Sequence, residues 1–574
     1  MRRWGPITLA CALIALSGGS PWIEPAGAQT STASAAAPVP ANSVLPHPAP
    51  AAPAITAPTD PTALAIFQRI AQINAQGGVL PQTQITLGKA VTEAYTQRQY
   101  LPLWTDTGDV QQLLDNLRTL DQDGLDPADF RAEQITDTWN RMVAGTPTPA
   151  QRADFDVLAT SACISALVQL SRGKVDPATL GPNANFELSA LDPALGAAIL
   201  DGLNRQRIGE LFAQARSTNA LYTRLRASLA NLRQLAATVG WPSIADGPTL
   251  KPGMTDPRVI SLRQRLIAEN YLDPTQAGGD HYDDTVKAAV ERFQRDQYLK
   301  ADGAIGQSTL AVLNIPVSAR IDQLRVNLER ARWLLRELQG TFVIVDIAGY
   351  KIAYYRDGQP VWRSRVQVGK PYRSTPIFKS EVTYVTFNPT WTVPPTILRK
   401  DIIPKVRRDP GYLAANRIRA FDASGQQVSA QSVNWSNPRG ITLRQDAGPG
   451  NSLGEVVIRF PNPFSVYLHD TPHRELFDKE QRDTSSGCIR VENPLDLVQL
   501  LFDDPALWNP QTIAEHIATG KTHNASLPKP VPILLAYWTV DVADDGRVSF
   551  KPDVYGRDAS LLAALDRPRP VPLL

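Results

Sequence analysis

Two reactive side chains stand nineteen residues apart near the C-terminal end of a 574-residue chain. His469 lies in Tyr467-Leu468-His469-Asp470-Thr471-Pro472, and Cys488 in Thr484-Ser485-Ser486-Gly487-Cys488-Ile489-Arg490-Val491. A cysteine attacks a carbonyl as the thiolate, and a free thiol with a pKa of about 8.5 is only a few per cent ionised near neutrality. A nearby imidazole supplies the missing deprotonation. One strand, one loop and one turn suffice to fold the two residues together. Gly487 lets the backbone turn tightly or aim N–H groups at an acyl oxyanion. Arg490 adds positive charge that favours thiolate or holds a substrate carboxylate. A lone cysteine is more often a small buried hydrophobe, so the argument for chemistry rests on the combination.

The other candidates are weaker. The chain has three cysteines, Cys11, Cys163 and Cys488, which make no disulfide framework. Cys163 falls in the apolar, helix-like run Val157–Val168 and reads as core. Of six histidines, His47 lies in a Pro/Ala stretch, His281 in a polar loop, and His516 and His523 follow the motif. His473 comes just after Pro472 in an expected loop. His469 ends the apolar run Phe464–Leu468, so a strand can hold it rigidly.

The pattern S-x-G-C-[IV]-R, preceded by H-D-T, resembles the catalytic motif of the L,D-transpeptidases, the YkuD-type domain. Sortases also place His before Cys and Arg after it, but with wider spacing and a T-L-x-T-C motif that this chain lacks; papain-like and NlpC/P60 enzymes put Cys before His. The resemblance implies acyl transfer on peptidoglycan stem peptides with Cys488 as nucleophile and His469 as general base and acid. It also implies Gly487 and Cys488 amides as oxyanion donors, and Arg490 as site electrostatics or substrate carboxylate binding. Ser485 or the backbone carbonyl of Asp470 would orient the imidazole. Tyr467, Trp391, Asp470 and Ser486 would line the substrate cleft. Two departures stand out: Asp470 occupies a position where the family often has Gly, and Ser486 one where it often has His, which leaves His469 as the sole base. No H-E-x-x-H, no Cys/His set at ligand spacing and no cofactor motif occurs, so no metal or cofactor is expected. Implied partners are the stem peptides and other cell-wall synthesis enzymes, the chain acting as a monomer and Cys488 being open to acylation by carbapenems. The same acyl-enzyme could serve another acceptor (water, a D-amino acid or a lipoprotein lysine), or the chain could be a catalytically silent wall-binding protein.

A chain this long must bury several cores. Its net charge of +2 gives no reason to expect nucleic acid. Residues 1–28, with Arg2-Arg3, the apolar run Ile7–Leu16 and Ala26-Gly27-Ala28, read as a secretory signal peptide, with an uncleaved anchor as the alternative and the periplasm as the destination. Residues 29–60 are a Pro/Ala-rich linker, and no later segment reads as apolar enough for a membrane helix. Residues 61–250 show mainly helical periodicity, with landmarks at Tyr100–Trp104, Asp123-Gly124 and Gly173–Pro177, and resemble the scaffold of large YcbB-like members. Residues 254–315 resemble a three-helix peptidoglycan-binding domain through Phe293-Gln294 and Asp302-Gly303…Gly306…Thr309, used for wall binding or only for packing. From Gly340 the period changes to strands, giving a catalytic domain over 340–560, with 396–441 as a lid insertion that gates substrate or braces the fold. The expected fold class is multidomain α+β: helical scaffold and peptidoglycan-binding-like domains plus a β-rich YkuD-type sandwich.

Overall fold

The computed structural model describes residues 57–76, 87–181, 199, 201–238, 240–336, 338–569 and 571. The expected signal peptide, and the linker up to residue 56, lie outside the described residues.

The N-terminal half is helical because its apolar residues recur at helical spacing and its turns carry capping groups. The helix Pro149–Arg172 starts with a capping box, Thr148 Oγ1 accepting from the Gln151 amide, and Pro149 fills the first turn, where no N–H is needed. Nearly every side chain along it is buried, Cys163 included. Contrary to the sequence expectation, this helix is long and apolar enough to cross a membrane, but 94% of that stretch is buried against its neighbours. Its apolar circumference reflects a position at the centre of a helical core. Asp156 on this helix accepts from Tyr95 Oη (2.5 Å) and the amides of Leu103 and Trp104 (2.9 and 3.0 Å), which explains the Tyr100–Trp104 landmark.

In residues 254–315 the Gln294 side chain replaces missing backbone partners. Its Nε2 donates to Ala304 O (2.9 Å) and its Oε1 accepts from Gly303 N (2.8 Å). Gly303 adopts φ +67°, where an L side chain is strained. The spacing read from sequence is therefore a loop lock. The unit is braced against the C-terminal domain by Arg547–Asp296 (2.8 Å), and the helix that follows it places Arg320 over Phe550 at 4.3 Å.

The helix Val317–Leu334 joins these parts. Arg332 and Glu329 pair at 2.5 Å with neither side chain exposed, and Glu329 Oε1 also accepts the Val175 amide at 2.6 Å. At Gly173 a Cβ would sit 2.5 Å from Glu329 Oε1, so only glycine allows this approach.

The C-terminal region is built of β1 (Phe342–Asp346), β2 (Lys351–Arg356), β3 (Gln359–Gln367), β4 (Phe378–Phe387), β5 (Trp391–Thr392), β6 (Ile418–Phe421), β7 (Gln427–Val428), β8 (Thr442–Gln445), β9 (Val456–Arg459), β10 (Leu468–His469), β11 (Ile489–Val491), β12 (His523–Ala536), β13 (Val540–Val542) and β14 (Val548–Phe550). Eight of these close a barrel in the order β1-β12-β4-β9-β10-β11-β3-β2. The β-rich body is as expected; its strands join edge to edge where two separate sheets were envisaged, because β1 reaches the late strand β12 in parallel register. Pro528 and Pro530 cannot donate to a ladder, and the β4–β12 register shifts between Ser526 and Val531. Val366, Val368, Val385, Ile458, Leu468 and Ile489 fill the interior.

The insertion proves partly β. Trp391 in β5 pairs with β8, and β6 and β7 complete a four-stranded sheet outside the barrel. Its own small core contains Val393, Ile403, Val406 and Leu443.

Candidate active site

The period-two alternation of the strands decides which side chains share a face. Leu468 pairs with Ile489 and His469 with Arg490 across the parallel β10–β11 pair. One step back, Ile489 N donates to Tyr467 O (3.1 Å), so Tyr467 lies beside Cys488. Leu468 and Ile489 point into the core; Tyr467, His469, Cys488 and Arg490 therefore project together from the barrel's outer face. The antiparallel β9 partner adds Arg459, whose guanidinium stacks 4.6 Å over the Tyr467 ring. Through the Arg490–Gln367 pairing, β3 adds Gln367.

The loop before Cys488 is pinned from several sides. Ser485 N donates to Val368 O (2.9 Å), and Ser485 O accepts from Lys370 N (3.1 Å). Thr375 Oγ1 donates to Gly487 O and accepts from Gly369 N, both at 2.9 Å. Tyr555 Oη donates to Gly369 O at 2.6 Å, locking the layer beneath. Gly487 has φ +117°, and a Cβ on Gly369 would meet Arg373 O at 2.1 Å. Both glycines are obligatory, one for its conformation and one for space.

His469 is 4% exposed, and its Nδ1 lies 2.5 Å from Asp470 O. A carbonyl only accepts, so Nδ1 carries the proton and Nε2 is left with the lone pair of a base. Burial pushes the imidazole down to about 3, helped by the positive charges of Arg490 and Arg459. Burial also raises the Cys488 thiol, against the opposing pull of Tyr467, Arg459 and Arg490. The resting pair is therefore neutral thiol and neutral imidazole. In this state the half-buried Sγ donates to Ser465 O at 3.7 Å; no Sγ–His469 hydrogen bond occurs among the described residues. His469 and Cys488 are diagonal neighbours, with Cβ atoms roughly 7–8 Å apart for such positions. A rotation of the thiol towards Nε2 bridges that gap, and catalytic hydrogen bonds commonly tighten only on substrate binding.

Several expected roles need correction. Ser485 does not orient the imidazole: its Oγ donates to Cys488 O (2.6 Å) and accepts from Gly487 N (3.1 Å), while Asp470 O takes the orienting role. The Gly487 amide is thereby engaged with Ser485 Oγ. Asp470 is no cleft residue, because its buried carboxylate accepts from Glu455 N (2.9 Å) and pairs with Arg474 (2.8 Å). Trp391 packs on the insertion's apolar cluster. Ser486 is exposed beside the nucleophile and accepts from Arg373 Nη1 at 2.8 Å. Arg490 stays with the site, its Nη1 donating to Gln367 Oε1 at 3.1 Å. His473 stands apart with Glu475 (3.5 Å), and His516 and His523 stack near Phe387.

Sequence reasoning missed Arg459, Ser465, Thr375, Arg373 and Tyr555. The contact of Thr375 with Gly487 spans 112 residues, beyond the reach of local spacing. Ser465 carries φ +56°, for which a Ser in an apolar run gives no signal.

Residues 340–533 match the model of the L,D-transpeptidase catalytic domain, YkuD; residues 89–229 match a scaffold domain and 255–313 a "Putative peptidoglycan binding domain". A curated protein of Haemophilus influenzae (strain ATCC 51907 / DSM 11121 / KW20 / Rd), named "Putative L,D-transpeptidase", is 34% identical over 242 residues, 42% of this chain. The chain spans about half the length of that relative (48%). Solved structures that align include the L,D-transpeptidase of Xylanimonas cellulosilytica DSM 15894 (16% identity, 51% of this chain and 99% of that one, TM-score 0.17). Another is the L,D-transpeptidase of Mycobacterium smegmatis (14% identity, 34% and 58%, TM-score 0.16).

Proposed function

Because residues 340–533 are an L,D-transpeptidase catalytic domain, we propose that the chain is a peptidoglycan L,D-transpeptidase forming 3→3 cross-links through a Cys488 acyl-enzyme. The observation that carries the reading is the shared outer face of Cys488, Tyr467 and His469, with Nδ1 tied to Asp470 O at 2.5 Å so that Nε2 is the base.

Sγ attacks the carbonyl of the third residue of a stem tetrapeptide as Nε2 takes the thiol proton. With both groups neutral at rest, the proton moves as the S–C bond forms. Charge developing on the carbonyl oxygen is met by the Cys488 N–H. The C–N bond breaks, Nε2 returns the proton to the departing amine, and D-alanine leaves. The side-chain amine of a second stem then attacks the thioester; Nε2 accepts its proton and hands it to the leaving sulfur. The helical scaffold and the 255–313 unit hold this domain, the substrate is wall peptide, and the site of action is extracytoplasmic, the periplasm following from the signal-like N-terminus.

The test is incubation of the full chain with purified disaccharide-tetrapeptide, products read by mass. Cross-linked dimer plus released D-alanine is expected, with Cys488→Ala losing at least about 10³-fold, the scale for removing a covalent nucleophile. A carbapenem should add its mass at Cys488. Exchange or hydrolysis without dimer would assign another acceptor; binding to insoluble wall without turnover would make the chain a binding protein.

A further inference from the structure

Arg459 is the least satisfied charge near the nucleophile. Among the described residues it forms no ion pair and no side-chain hydrogen bond; its Nε is buried without a partner, and what it touches is the face of the Tyr467 ring at 4.6 Å. The Nε of Arg490 is likewise buried without a partner, but its Nη1 is committed to Gln367 Oε1, which also accepts from Thr484 Oγ1 at 2.7 Å, and Glu475 acts on it from the neighbouring turn. A guanidinium with a buried Nε and no anion within reach gains a charge-assisted contact when one arrives. Lying over the Tyr467 face, the guanidinium has N–H groups left for a planar two-oxygen partner.

Resting on the transpeptidase reading, we propose that Arg459 is a specificity-determining residue that receives the free carboxylate of the acyl donor. Arg459, Tyr467 and Cys488 lie in one row across β9, β10 and the start of β11. Neighbouring strands are about 4.8 Å apart, which puts the Arg459 and Cys488 backbones roughly 10 Å from one another. One extended residue covers about 3.5 Å, so a carboxylate one residue beyond the attacked carbonyl falls between sulfur and guanidinium. Donors then end one residue past the bond that breaks. The bound carboxylate has a second effect. It offsets one of the positive charges that hold His469 uncharged, and so eases proton uptake by Nε2 as sulfur attacks.

The experiment compares kcat/KM of the full chain for two donors, a tetrapeptide with a C-terminal carboxylate and the same peptide amidated. Wild type should prefer the carboxylate roughly 10–100-fold, the worth of a charge-assisted contact. In Arg459→Gln the ratio should fall towards one, and Arg459→Lys should restore part of it. An unfolding midpoint matching that of wild type shows that the variant is folded. A wild-type ratio near one, or equal losses for both donors in Arg459→Gln, overturns the proposal and leaves the transpeptidase reading standing. Wild type inert towards both donors overturns the two together.

Discussion

Three buried cations in the body of the molecule and the guanidiniums on the face of Cys488 are treated in opposite ways. The three meet carboxylates: Arg332 with Glu329 (2.5 Å), Lys174 with Asp129 (2.6 Å), Lys551 with Asp346 and Asp541 (2.5 and 2.9 Å). On the site face Arg459 and Arg490 have none within ion-pair distance among the described residues. Neutralised pairs hold helices and barrel in one arrangement; on the site face burial, helped by Arg490 and Arg459, keeps His469 unprotonated.

The largest effect should come from breaking one of the buried pairs. Glu329→Gln keeps the shape and the bond to Val175 N but leaves Arg332 buried and unpaired, which costs about 3–5 kcal/mol. Denaturant unfolding of the full chain should show that loss, while Arg459→Gln should leave the unfolding midpoint nearly unmoved. Equal losses in the two variants would break the comparison.

A smaller effect separates the halves by pH. The His469 imidazole has a folded pKa of about 3 against about 6.5 unfolded. Between these values the unfolded chain binds the proton and the native one does not. Its contribution is therefore full above pH 6.5 and is lost as pH falls through that window, amounting to about 2 kcal/mol by pH 5. His469→Gln should lack this part of the acid slope, and a slope unchanged in the variant would assign it elsewhere. Acylation of wild type should likewise show no inflection near pH 6.5, because Nε2 is already free of its proton there.

The same contrast explains what was legible in the sequence. Cys488, His469 and Gly487 sit within one short stretch, and their chemistry depends on residue type and local spacing. The helical scaffold was legible for that reason too, whereas the Gln294 spacing was legible only as a family resemblance. Arg459 was not, because Val456-Val457-Ile458-Arg459 reads as an ordinary strand whose outward face is set only by pairing with β10. The orienter was open between Ser485 and Asp470 O because the choice turns on where one hydroxyl points. The insertion defied reading because its sheet joins β5, before it, to β8, after it.

The smallest effect tests the link between the regions. Arg373 Nη1 bonds both Asp401 in the insertion (2.5 Å) and Ser486 beside the nucleophile (2.8 Å). Asp401→Asn removes the charge of this bridge and leaves the Ser486 bond. The Asp401 side chain is 40% exposed, so the pair contributes at most about 1 kcal/mol. Lost from a gating element, that amount should appear as a roughly three- to fivefold fall in acylation kcat/KM with the unfolding midpoint unchanged. A lowered midpoint with unchanged acylation would instead make the insertion a brace. Its charges would then belong with the buried pairs, because a charge whose loss moves only stability holds structure, and one whose loss moves only turnover serves the site.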